Sequence, residues 1–117
     1  MYTIAKEFSF DASHILQGLP EGHKCGRMHG HTYTVIVQLA CKSVDGNGFV
    51  QDYNDLDDIK RYIDNNLDHR HLNDVLKIQP SAENIARYLF DLFKEEYPLL
   101  KAVSVKETPK TIARYEP

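Results

Sequence analysis

The densest chemistry in this 117-residue chain is His29-Gly30-His31. At a rise of about 3.3 Å per residue, positions i and i+2 of an extended segment project to one face roughly 7 Å apart, close enough for two imidazoles to converge on one cation. Gly30 places no side chain between them. Standing alone, a His-x-His is as readily a pair of ordinary strand residues. A third histidine changes that reading. His14 ends an alternating segment on its apolar side, and antiparallel pairing of the two segments brings its ring beside His31. Three neutral imidazoles with no obligatory fourth protein ligand form the donor set of a catalytic zinc with an open position, whereas structural zinc is usually closed by four protein ligands.

Cys25, four residues before His29, has two readings. A thiolate there closes a Cys-His-His-His site and makes the metal structural. Alternatively, Lys24, Arg27 and Gly26 set the thiol in a mobile electropositive loop, where a thiol is made reactive and works as nucleophile or base. The second reading is favoured. Asp68-His69 follows a helical stretch, and a carboxylate beside a histidine orients the imidazole and stabilises its cation if the backbone turns; otherwise it is a solvated helix terminus. Glu107 lies on the apolar side of a late strand, where a carboxylate needs a donor. A structural Lys or Arg would supply one, as would the amide-like donors of a bound heterocycle.

These residues need a scaffold. From Tyr2 to about His14, Ile4, Phe8, Phe10 and Ala12 alternate with polar residues as in a half-buried strand, and Tyr33, Val35, Val37 and Leu39 repeat the pattern in a second long strand closed by Asp45-Gly46-Asn47-Gly48. Helical spacing of Leu56, Ile59, Ile63 and Leu67 predicts a helix over 55–67. A second helix starts after Pro80 with Ser81 as N-cap and Glu83 in the first turn, burying Ile85, Leu89, Leu92 and Phe93. Residues 102–107 and 110–115 read as a hairpin around Thr108-Pro109-Lys110. The order ββααββ implies one α+β domain over residues 1–117, a four-stranded antiparallel sheet with two helices on one face. Its open edges favour association with further copies.

Composition narrows the function. With 14 Lys+Arg against 17 Asp+Glu the net charge is −3, which excludes the basic footprint of a non-specific nucleic-acid binder. Lys6 and Glu7 interrupt any leader-like apolar stretch, and no apolar run approaches the roughly 18 residues of a membrane span. The expectation is a soluble, unprocessed cytoplasmic protein with Cys25 and Cys41 as free thiols, without nucleic-acid or membrane partners.

Taken in order, Phe10-Asp11-Ala12-Ser13-His14, Cys25-x-x-x-His29-Gly30-His31-x-Tyr33, Gly48-Phe49-Val50-x-Asp52-Tyr53, Leu67-Asp68-His69-x-x-Leu72-Asn73, Pro80-Ser81-x-Glu83-Asn84 and Val105-x-Glu107-Thr108 resemble the 6-pyruvoyl-tetrahydropterin synthase superfamily over nearly the whole chain. The three-residue gap between Cys25 and His29 is similar to its bacterial 6-carboxy-tetrahydropterin synthases of queuosine and deazapurine biosynthesis. The resemblance implies a T-fold, whose subunits join their sheets into a barrel and pack as a homohexamer with interfacial active sites. It also implies zinc on His14, His29 and His31, proton transfer by Cys25 and the Asp68-His69 pair, and a pterin ring held by Glu107 and Ser81. The implied substrate is 7,8-dihydroneopterin triphosphate, with Lys24, Arg27, Lys106 and Lys110 as candidates for its phosphates. Formation of 6-pyruvoyl-tetrahydropterin, a Cys-His-Asp hydrolase with an incidental metal, and a non-catalytic pterin-binding module are the rival readings. His23 and His71 fall outside the pattern and take no role.

Overall fold

A computed structural model of the chain describes residues 1–117. Two 13-residue strands form its spine: β1 (Tyr2–His14) and β2 (His29–Cys41), paired antiparallel from Tyr2↔Cys41 to His14↔His29. Their alternating apolar residues do what a period of two requires. Phe8, Phe10, Ala12 and His14 of β1, with Tyr33, Val35, Val37 and Leu39 of β2, are buried on one face. A slip of one residue would turn all of them to the opposite face, so burial of the core also fixes which histidines meet.

After β2 the chain turns through Asp45, whose carboxylate accepts from the N–H groups of Asn47 and Phe49. A 3-10 turn over Tyr53–Leu56, capped by Asp52, leads into α1 (Asp57–Asn66), which buries Ile59 and Ile63. The helix therefore begins later than the apolar spacing suggests, because Leu56 packs from the turn.

The next residues depart from expectation. Arg70–His71 forms a short strand, β3, parallel to β1 through Ala12↔Arg70 and Ser13↔His71, and a one-turn helix, α2 (Leu72–Val75), follows. α3 (Ala82–Phe93) opens with Ser81 Oγ accepting from the Asn84 N–H at 3.2 Å. It buries Ala82, Ile85, Ala86, Leu89, Phe90 and Phe93, but Leu92 is 42% exposed. The stripe centres between Ile85 and Phe90, which leaves Leu92 at its margin rather than in it.

β4 (Leu100–Lys106) pairs antiparallel with β2, and β5 (Ala113–Tyr115) antiparallel with β4. β5 starts later than residue 110 because Thr108 organises a turn, accepting from the Lys110 N–H and bonding the Thr111 hydroxyl. The sheet is thus five-stranded and mixed, in the order β3-β1-β2-β4-β5, in place of a four-stranded antiparallel one, and it carries three helices rather than two. Both extra elements are too short to leave a periodic signal.

On the other face of β1, Thr3, Ala5, Glu7, Ser9 and Asp11 are exposed. The molecule measures 56 × 25 × 24 Å, and its radius of gyration of 15.4 Å exceeds the about 13 Å of a compact domain this size. No helix is long and apolar enough to cross a membrane.

Truncating Leu89, 1% exposed, is expected to cost about 2–5 kcal/mol in a urea unfolding series. Leu92→Ala should stay within about 0.5 kcal/mol. Equal losses would show that another surface covers Leu92.

Candidate metal centre and active site

The β1–β2 register sets His14 directly across from His29 and Ala12 across from His31. The three rings pack at centroid separations of 4.5, 5.0 and 4.9 Å, near-perpendicular in two of the three pairs. Their ligand nitrogens all lie within 4.8 Å of one another. The Cys25 sulfur is not part of that group.

The hydrogen bonds of the three rings leave the cluster short of positive charge. His14 Nδ1 lies 2.7 Å from the Pro80 carbonyl and His29 Nδ1 2.7 Å from the Arg27 carbonyl. A carbonyl oxygen only accepts, so each Nδ1 carries its ring's proton and each neutral ring presents a bare lone pair at Nε2. Those two Nε2 atoms stand 2.8 Å apart. Two lone pairs at that distance repel unless a positive charge lies between them. The third nitrogen, His31 Nε2, is buried and without a partner, a costly state for a polar atom. A divalent cation answers all three deficits, so the residues fit a metal. Burial pushes the His14 imidazole below the ordinary histidine range, against the pull of the Pro80 carbonyl, which favours the neutral, ligating form.

Around this centre the clefts divide the other candidates. A cleft of about 550 Å³ is lined by Lys24, Cys25, Arg27, Met28, His29 and His31. Cys25 sits half-buried in a 3-10 turn (Lys24–Gly26), its N–H donated to His23 Nδ1 at 3.1 Å. A second cleft, of about 510 Å³, joins His31 to Asp11, Ser13, Thr32, His69, Arg70 and His71. A third, of about 440 Å³, joins His31 to Thr32, Lys106 and Glu107. His31 borders all three, whereas Cys25 and His69 line different ones.

Asp68 and His69 do point the same way, because the backbone turns as the chemistry requires. His69 has φ = 58°, a left-handed conformation that disfavours residues with a Cβ. It is held there by its N–H to the Asp11 carbonyl at 2.6 Å, while Asp68 Oδ1 accepts from the Asp11 N–H at 2.9 Å. Asp68 Oδ2 then meets His69 Nδ1 at 2.9 Å. The Asp11 N–H, and next the His69 ring, hold the Asp68 carboxyl below the usual range, and Asp68 raises the His69 imidazole above its own. This segment is therefore docked onto β1 and is not a frayed helix end.

Glu107 stands half-buried one residue past β4, with no hydrogen bond or ion pair to any protein donor. Its acceptor capacity is open. Its charge reaches the buried Tyr33, whose hydroxyl is pushed up mainly by burial and secondarily by Glu107. Ser81 accepts as the α3 cap and keeps its own O–H free to donate. Of the basic candidates, Lys24 and Arg27 line the Cys25 cleft, Lys106 lines the Glu107 cleft, and Lys110 lines none of the three. Sequence reasoning missed Arg70 in the His69 cleft, the backbone carbonyls of Pro80 and Arg27, and the roles of two histidines. His23 caps the turn that carries Cys25, and His71 Nδ1 bonds Ser13 Oγ at 2.9 Å. Carbonyl partners leave no residue-type signal, and a cap two residues from a cysteine has none either.

The family model for 6-pyruvoyl tetrahydropterin synthase matches residues 3–117. The chain is 39% identical to a 6-carboxy-5,6,7,8-tetrahydropterin synthase of Synechocystis sp., over 98% of this chain and 93% of the relative. It is 30% identical to one of Haemophilus influenzae over 99% of each chain. Among solved structures it superposes on the 6-pyruvoyl tetrahydropterin synthase of Caenorhabditis elegans with a TM-score of 0.86 and 29% identity, over 99% of this chain and 95% of that one.

The Asp68–His69 pair has a defined pH window. The raised His69 stabilises the fold fully below about pH 6.5, and that contribution is lost as pH rises through its folded value; the depressed Asp68 contributes above about pH 3.9, lost as pH falls through its own. NMR titration should find His69 above the ordinary value, returning toward about 6.5 in Asp68→Asn. No change in that variant would show that the two side chains do not pair in solution.

Proposed function

The chain belongs to the 6-pyruvoyl tetrahydropterin synthase family, and from that membership we propose that it is a zinc-dependent 6-carboxy-5,6,7,8-tetrahydropterin synthase. Its substrates are 7,8-dihydroneopterin triphosphate and water, its products 6-carboxytetrahydropterin, acetaldehyde and triphosphate, and its place the queuosine and deazapurine route. What carries the reading is the orphaned, buried His31 Nε2 facing two imidazoles with committed Nδ1 protons, at the junction of the clefts that hold Cys25, His69 and Glu107. The identity to 6-carboxy relatives over nearly the full chain supports the branch.

His14, His29 and His31 would hold the zinc, which when bound would supply a Lewis acid to the hydroxyls of the substrate side chain. Glu107 accepts from the amide and amino groups of the pterin ring, which gives its unpaired carboxylate the donors the protein does not provide. The Ser81 O–H adds a second hydrogen bond at the start of α3. Cys25 takes or gives protons at the substrate side chain, and His69 does so with Asp68 holding its imidazole by Nδ1 and stabilising its cation. Lys24 and Arg27 offer positive charge to the triphosphate beside Cys25. Cys25 and His69 line different clefts of one chain, which supports a site completed between subunits, in a homohexamer whose sheets close into a barrel.

Mass spectrometry after incubation of the zinc-loaded protein with dihydroneopterin triphosphate should find 6-carboxytetrahydropterin and acetaldehyde. Triphosphate release with a pyruvoyl product and no acetaldehyde would assign the chain to the other branch. His31→Ala is expected to lose bound zinc, read by elemental analysis, while keeping its circular dichroism spectrum. Cys25→Ala should keep zinc and pterin binding but lose about 10²–10⁴-fold in kcat. Loss of zinc in that variant would make the thiolate a ligand instead.

A further inference from the structure

Beyond His14, where β1 ends, residues 15–17 have no partner strand, yet their backbone is not free. Ile15 gives its N–H to Asn73 Oδ1 at 2.8 Å, and Asn73 Nδ2 donates back to the Ile15 carbonyl at 2.9 Å. Two residues on, Gln17 gives its N–H to Gln79 Oε1 at 2.8 Å, and Gln79 Nε2 donates to the Gln17 carbonyl at 2.9 Å. Between them, the Leu16 N–H points to the other edge and donates to the Cys25 carbonyl at 3.0 Å. Alternate residues of an extended chain present their N–H and C=O to opposite edges, and a primary amide carries one donor side and one acceptor side, as a facing peptide does. Asn73 and Gln79 thus stand in for a strand on the edge where β3 stops, while the Cys25 turn continues the edge where β2 starts.

The connection joins separate parts of the site. Asn73 lies in α2, four residues past His69. Gln79 precedes Pro80, whose carbonyl orients His14, and Ser81. Ile15 follows the ligand His14 directly, and Leu16 holds the turn that bears Cys25.

We propose that Asn73, seconded by Gln79, is a positioning residue that sets the Cys25 turn and the His14 ring relative to each other, through the backbone of residues 15–17. Neither side chain touches the reacting atoms. This rests on the reading of Cys25 and the metal given above.

The test uses the full chain with Cys41→Ser, so that Cys25 is the only thiol. Asn73→Ala is expected to speed iodoacetamide alkylation of Cys25 about tenfold, by loosening the turn. It should weaken zinc binding in a chelator competition by about 10–100-fold. It should also lower kcat by about 10²-fold with KM nearly unchanged. Asn73→Asp keeps the acceptor for the Ile15 N–H and loses the return donor, so it should fall between. Gln79→Ala, on the exposed side, should move alkylation the same way by a smaller factor, and it carries the test if Asn73→Ala does not fold. Alkylation rate and zinc affinity within twofold of the parent, in whichever variants fold, would overturn the proposal. A parent protein without turnover would instead refute the assigned activity, and the thiol and zinc measurements would still decide the clamp.

Discussion

Three imidazoles cannot occupy the end of the β1–β2 hairpin as neutral bystanders. With two Nδ1 protons given to backbone carbonyls, the facing Nε2 lone pairs at 2.8 Å need a positive charge, and a third buried nitrogen has no donor to meet. The remaining architecture maintains that deficit. The long antiparallel register brings the histidines together, the segment before α3 offers a carbonyl to one ring, and the turn before β2 offers a carbonyl to another. Carbonyl partners also fix the tautomers of the His14 and His29 rings, so that each presents its Nε2 lone pair to the cluster.

The same economy governs the catalytic surroundings. Asp11 uses only its backbone N–H and C=O to dock Asp68 and His69, and its carboxylate is left to accept from Thr32 on the neighbouring strand. Holding His69 at a positive φ is a local cost of the kind found where function dictates backbone shape. It is offset by two hydrogen bonds to one strand residue and by the Asp68 contact. The cleft that holds His69 is therefore shaped by main chain, with side chains left over for ligand.

Legibility in the sequence followed periodicity and residue type. The two long strands and α3 announced themselves through regular apolar spacing and, for α3, through Ser81. The histidine trio and Cys25 were legible as residue types at short range, and their convergence followed from a hairpin register. What did not show were features without a residue-type signature. β3 is two residues long, α2 is a single turn, and the start of β5 is set by a threonine turn. Leu92 illustrates the limit of a periodic pattern: it belongs to the helix's apolar set by spacing, yet Ala82 and Ala86 take the buried side because α3 lies close to β4 and β5. The six motifs carried the family, whereas the carbonyls that orient His14 and His29 could be found only by folding the chain.

The unclosed sheet makes the lone chain a slender object, 56 Å long on a waist of about 25 Å. Such a body drags more solvent than a sphere of 13.5 kDa, so it elutes early from a sizing column and passes for a larger species. Counting copies in solution therefore calls for light scattering or native mass, which weigh a particle irrespective of its outline, and any apparent small oligomer on a column is first to be read as shape.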